Sequence, residues 1–183
     1  ASPMNEQELR NMMFTAQLPR KGGAFTIRYP RGEGVMVNWR TKFEKMEIGT
    51  GRIIKEGEDV AILTIGHIGN YAIEACEKLM EKDLHPAHYD MRFAKPIDEK
   101  LLHTILNKFD KIVTVEDGCL QGGFGSAVAE FITDHGYNAK LKRLGIPDKI
   151  IEHGSQQQLP KECDFDVAGI ENAVLSILEL KVI

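Results

Sequence analysis

Apolar positions along this chain fall into two periods, and the change of period marks its elements. Leu9, Met12, Met13 and Ala16 recur at helical spacing, which predicts a helix over residues 3–17. Ser2 reads as its N-cap and Pro3 as its first residue, with Glu6 and Glu8 in the first turns. Residues 19–23 break the helix, and Phe25-Thr26-Ile27-Arg28-Tyr29 then reads as a strand over residues 24–29. Pro30 ends it, because a residue without a backbone N–H cannot carry the ladder onward. Residues 32–47 mix glycine and charge and read as a linker.

From about residue 48 strands and helices alternate. Ile53-Ile54 and the run over residues 60–65 are strand-like, joined by a tight turn at Glu56-Gly57-Glu58-Asp59, which predicts a hairpin. The second run is apolar enough to be buried on both faces. A helix is predicted over residues 69–82, with Ala72, Ile73, Cys76, Leu79 and Met80 on one side. A short strand at 86–90, a helix at 98–108 and a strand at 111–115 follow. Then come a helix at 122–136 with Val128, Phe131 and Ile132 inward, a strand at 140–144, and helices at 155–163 and 168–180. This alternation implies βαβ units and an α/β fold, with a mostly parallel sheet, one antiparallel strand and flanking helices.

Composition narrows the class. The 183 residues are 43% hydrophobic and 27% charged, an ordinary soluble balance. A net charge of −4 does not suggest a nucleic-acid partner. No apolar run approaches the roughly 20 residues that cross a bilayer, and no basic region leads into an apolar one at the start, so neither a membrane segment nor a signal peptide is expected. Cys76, Cys119 and Cys163 are far apart and odd in number, and read as free thiols.

The candidate chemistry lies at strand ends. Arg31 follows the strand that Pro30 stops, and in open α/β sheets ligands bind outside the carboxyl ends of strands. A guanidinium there offers a planar fork of donors to a phosphate or carboxylate. Arg28 and Tyr29 are weaker substrate-binding candidates, because alternation along a strand sends them to opposite faces. Glu116-Asp117 end another strand and run into Gly122-Gly123-Phe124-Gly125-Ser126. A glycine-rich helix start is a generic anion site, but the acids beside it argue against a phosphate and for close packing. The glycine spacing is neither a dinucleotide fingerprint nor a P-loop. An Asp90–Arg92 or Arg92–Asp117 pair reads as a brace, Asp98 as an N-cap, and His153 as a loop histidine that is structural more often than catalytic. No catalytic triad and no metal cluster can be nominated.

Several of these stretches resemble one family. Arg28-Tyr29-Pro30-Arg31-Gly32 looks like a motif late in the pyrimidine-binding domain of the 1-deoxy-D-xylulose-5-phosphate synthase family, thiamine-diphosphate enzymes related to transketolase. Ile48-Gly49-Thr50-Gly51-Arg52, the run from Asp90 to Asp98, Thr114-Val115-Glu116-Asp117-Gly118 and Gly122 to Val128 look like its C-terminal domain. So do Leu144-Gly145-Ile146-Pro147-Asp148, Ile151-Glu152-His153-Gly154 and Asp166-Val167-Ala168-Gly169-Ile170, so that the resemblance spans nearly the whole chain. Asp117 departs from what many relatives carry.

The resemblance implies a fold and a division at residue 47. Residues 1–47 would be the end of the pyrimidine-binding domain plus a linker, and residues 48–183 a transketolase C-terminal-like domain. It implies a cytoplasmic, homodimeric transferase that condenses pyruvate with glyceraldehyde 3-phosphate to 1-deoxy-D-xylulose 5-phosphate and CO2, feeding isoprenoid, thiamine and pyridoxal synthesis. It assigns the aldehyde's phosphate to Arg31. Thiamine diphosphate and Mg2+ would be held by residues absent from this chain, since the family's Gly-Asp-Gly…Asn segment, activating glutamate and active-site histidines have no counterpart here. The chain is therefore expected to be a C-terminal part with no catalytic residue of its own, inactive alone. The alternatives are a 2-oxo acid dehydrogenase β subunit and a non-catalytic dimerisation or binding module.

Overall fold

A computed structural model describes residues 1–19, 22–36 and 38–180. The break expected over residues 19–23 includes Arg20 and Lys21, which lie outside the described residues.

The first helix, α1 (Glu6–Gln17), starts later than its pattern suggests. Its cap is Asn5, whose side chain accepts the Glu8 N–H at 3.0 Å. Ser2 is engaged elsewhere, its hydroxyl donating to the Arg28 carbonyl at 3.0 Å. Residues 24–29 do not form a strand of the sheet. They run beside the first two residues, with the Arg28 N–H donating to the Ala1 carbonyl at 2.9 Å and the Ala1 ammonium to the Thr26 carbonyl at 2.9 Å. The residues read as a linker strap across α1. Glu6 accepts the N–H groups of Val35 and Met36 (3.0 and 2.8 Å), Asn11 that of Glu44 (3.1 Å) and Thr15 that of Met46 (2.9 Å).

The rest builds one five-stranded sheet from β1 (Arg52–Lys55), β2 (Ala61–Ile65), β3 (Ala87–Asp90), β4 (Lys111–Cys119) and β5 (Lys140–Ile146), in the order β1-β3-β2-β4-β5. All neighbours are parallel except β1 and β3. The antiparallel strand is thus present, but β1 makes no hairpin with β2. The turn after β1 is held instead by the chain entering β3: Glu58 and Asp59 donate backbone N–H groups to the His85 carbonyl, and Asp59 accepts the His85 N–H at 2.6 Å.

Helices α2 (Gly69–Met80) and α6 (Val167–Ile177) cover one face of the sheet; α3 (Glu99–Lys108) and α4 (Phe124–Asp134) cover the other. Ile62, Val113 and Val115 point to the first layer and Ala61, Leu63 and Ile112 to the second, so β2 is buried on both faces as its composition requires. Met80, expected inward, is 42% exposed at the end of α2. Asp98 caps α3, accepting the Leu101 N–H at 2.9 Å, and also accepts the Gly51 N–H at 2.9 Å, which pins the entrance to β1. Asp166 caps α6 through the Gly169 N–H at 2.9 Å. Of residues 155–163, only α5 (Gln158–Glu162) is helical. No helix among the described residues is long and apolar enough to cross a membrane.

Candidate functional site

The topology marks one edge of the sheet. β2 and β4 are neighbours, yet α2 leads from β2 to β3 on one flank and α4 leads from β4 to β5 on the other. The carboxyl ends of β2 and β4 therefore form a switch point, where open α/β sheets leave a crevice.

Two acids stand at the end of β4. The β4–β5 register slips between Val115 and Cys119, and such an irregularity re-aims side chains. Glu116 turns inward: its carboxylate accepts the N–H groups of Phe124 and Gly125, both at 2.8 Å, at the start of α4. Burial pushes its pKa up, against the pull of those two N–H groups, Arg143 and Arg28. The anion at the glycine-rich helix start is thus the chain's own carboxylate. Gly123 packs so closely on the Cys119 carbonyl and on Glu116 that no Cβ fits between them. A diphosphate does not fit this cradle, because Glu116 fills it with like charge.

Asp117 faces the other way. Its carboxylate lies 3.3 Å from the Arg28 guanidinium and 3.9 Å from His67 Nε2, in the turn after β2. Burial lowers the His67 pKa, with Asp117 opposing the shift and Arg28 adding to it. The segment holding Arg28 lies over the switch point. Beyond it, Gln156 donates its side-chain amide to the Arg31 carbonyl.

A cavity of about 320 Å3 opens here, walled by Pro30, Arg31, His67, Asp117, Gln156 and the apolar side chains of Ile146, Ile151 and Phe165 among others. A second, of about 300 Å3, shares Pro30, His67 and Gln156 but is lined by Tyr29 and Tyr71. Arg31 and Tyr29 therefore open on different spaces, and Arg28 is taken up by Asp117. His153 is exposed in the loop after β5. The expected brace is built from other partners. Arg92 gives its backbone N–H to Asp90 at 3.2 Å but its guanidinium to Glu8 at 2.8 Å, and Asp90 pairs with Arg52 at 3.1 Å. Sequence reasoning missed Glu8 and Glu116, each of which shows only as an acid near a helix start.

The family described as "Transketolase, C-terminal domain" matches residues 49–170. A 1-deoxy-D-xylulose-5-phosphate synthase of Cytophaga hutchinsonii is 62% identical over 177 residues, 97% of this chain and 28% of that protein. The synthase of Bacteroides thetaiotaomicron is 50% identical over 181 residues (98% and 28%), and that of a Geobacillus species 43% over 180 (98% and 28%). The chain thus spans about 28% of the length of these curated relatives. Among solved structures, a chain described as "Split gene transketolase, inactive beta4 tetramer" superposes with a TM-score of 0.70 at 31% identity, over 76% of this chain and 45% of that one.

Proposed function

This chain belongs to the transketolase C-terminal domain family, and from that premise we propose that it is the C-terminal part of a 1-deoxy-D-xylulose-5-phosphate synthase. Identity of 62% over 97% of the chain supports this synthase over a 2-oxo acid dehydrogenase β subunit or a stand-alone module. The whole enzyme is a cytoplasmic homodimer that joins pyruvate to glyceraldehyde 3-phosphate with loss of CO2. Its carbon–carbon chemistry is supplied by thiamine diphosphate with Mg2+. In this proposal both are bound outside this chain, in keeping with Glu116 filling the glycine-rich cradle at the start of α4. Residues 1–47 belong to the pyrimidine-binding domain and its linker, and residues 48–183 to the C-terminal domain.

Within that enzyme Arg31 binds the phosphate of the aldehyde. The observation that carries this role is Arg31 on the wall of a cavity at the switch point of the sheet. Arg28, paired with Asp117, and Tyr29, on the neighbouring cavity, do not share that ligand. This chain's part is to bind and orient the aldehyde. Arg31→Ala in the full-length protein should lower kcat/KM for glyceraldehyde 3-phosphate by roughly 10- to 150-fold, the worth of one charge-assisted hydrogen bond. An unchanged kcat/KM overturns the assignment.

A further inference from the structure

We propose that His103 and His135 form a binding site for a divalent transition ion of the Zn2+ type. The site is separate from the aldehyde site. α4 starts at the carboxyl edge of the sheet and leads to the beginning of β5, so His135, its C-cap, lies at the opposite edge. Neither histidine walls the cavities at the switch point.

The fold brings the two rings together from α3 and the end of α4, with centroids 4.9 Å apart and planes at 85°. With Zn–N bonds of about 2.0–2.1 Å, two imidazoles sharing one tetrahedral ion through Nε2 have centroids roughly 5 Å apart, so this spacing fits. Each ring is held by its other nitrogen. His135 Nδ1 lies 2.9 Å from the Phe131 carbonyl, which only accepts, so Nδ1 carries the proton and the lone pair falls on Nε2. His103 Nδ1 lies 2.7 Å from the Tyr137 hydroxyl, which can accept in the same way. A histidine whose second nitrogen donates to a carbonyl or hydroxyl is the usual form of an oriented metal ligand. Phe131, buried in the α3–α4 layer, fixes the pair further: it stacks on His135 at 4.0 Å and meets His103 edge-on at 4.9 Å.

Both Nε2 atoms are left over. Among the described residues neither has a hydrogen-bond partner. His135 is exposed and His103 half-buried, and His103 Nε2 is not sealed from solvent as His88 Nδ1 is. The donor set selects the ion. Imidazole nitrogens favour Zn2+, Cu2+ or Ni2+, whereas Mg2+ and Ca2+ take oxygen. Among the described residues no third imidazole, thiol or carboxylate completes a group of three, so water fills the remaining positions and the ion stays exchangeable. Bound there, it ties α3 to the end of α4, so occupancy also raises the stability of the fold.

The test titrates the chelator-stripped full-length protein with Zn2+ by calorimetry, in excess Mg2+ to occupy sites for hard cations. His103→Gln and His135→Gln should each weaken one class of Zn2+ site by roughly 10-fold or more, and Tyr137→Phe should weaken the same class by roughly 10-fold. His153→Gln, in the exposed loop after β5, should change nothing. Zn2+ should raise the urea midpoint of the unaltered protein more than that of either His103→Gln or His135→Gln. A second measurement needs no variant: diethyl pyrocarbonate labelling mapped by peptide mass. Zn2+ should slow modification of both His103 and His135 and leave that of His153 unchanged. Zn2+ affinity that survives either histidine substitution, or labelling of the two histidines indifferent to Zn2+, overturns the site.

Discussion

The Glu8 carboxylate, on the first turn of α1, sits 2.8 Å from the Arg92 guanidinium just past β3, and that contact fastens the N-terminal helix to the sheet. Glu8 is 5% exposed, lies 3.0 Å from Arg52 as well, and accepts the Met4 N–H at 2.9 Å. Removing one partner of a buried ionic group leaves the others uncompensated. Glu8→Ala should therefore cost about 3–5 kcal/mol in urea unfolding of the chain. A loss below about 1 kcal/mol would mean that α1 docks by its apolar contacts alone.

Asp90 and His88, two residues apart on β3, give opposite pH dependences. Burial, then the charge of Glu8, pushes the Asp90 pKa up to about 7, against the pull of Arg52 and Arg92. The folded chain thus keeps a proton that the unfolded chain gives up above 3.8, so Asp90's contribution is full below that value and lost as pH rises toward 7. Burial, then Arg52, pushes His88 down to about 3. Its contribution is full above 6.5 and lost as pH falls toward 3, because only the unfolded imidazole charges in that window. Between about 4 and 6.5 the two slopes cancel. Asp90→Asn should leave stability falling with decreasing pH over this range, and His88→Gln should leave it falling with increasing pH. Denaturation midpoints at three pH values decide it; two variants with the slope of the unaltered chain would refute both assignments.

What the sequence made legible was whatever depends on local pattern. Alternating strands and helices, the cap at Asp98, and the two-sided burial of β2 all follow from short windows. What it hid depends on partners distant in the chain. Residues 24–29 have strand propensity, yet Thr26 and Arg28 meet Ala1 and Ser2 and form no ladder of the sheet. β1 pairs across 38 positions, Arg52 with Asp90, rather than with the run that follows it. Arg31 lines the cavity beside Asp117 and His67 although residues 24–29 form no strand, and that grouping was not legible, since the switch point joins segments far apart in sequence.

Glu116→Gln tests the internal anion at α4. The amide keeps the shape and one acceptor but turns its NH2 toward one of the two backbone N–H groups, of Phe124 and Gly125, that the carboxylate now accepts at 2.8 Å each. Hydrogen bonds to a charged group contribute about 1.5–3 kcal/mol, so the variant should lose roughly 2 kcal/mol in urea denaturation. Full stability would show that the helix start does not depend on the carboxylate's charge.

The glycines ahead of α4 should respond unequally to the same added methyl group. Gly122 has φ +71° with open space around the position a Cβ would take, so Gly122→Ala meets only the left-handed backbone cost of about 1 kcal/mol. Gly123 has no such φ, but its Cβ would overlap the Cys119 carbonyl and the Glu116 carboxylate, neither of which can retreat without breaking the cap. Gly125→Ala would bring a methyl to 2.6 Å from Thr114 Oγ1, which must rotate or shift. Gly123→Ala should cost about 3 kcal/mol and Gly125→Ala fall between the two. Denaturation of the three variants fixes the order, and a Gly122→Ala loss larger than that of Gly123→Ala would mean that backbone conformation, not the close approach to Glu116, sets the glycine requirement.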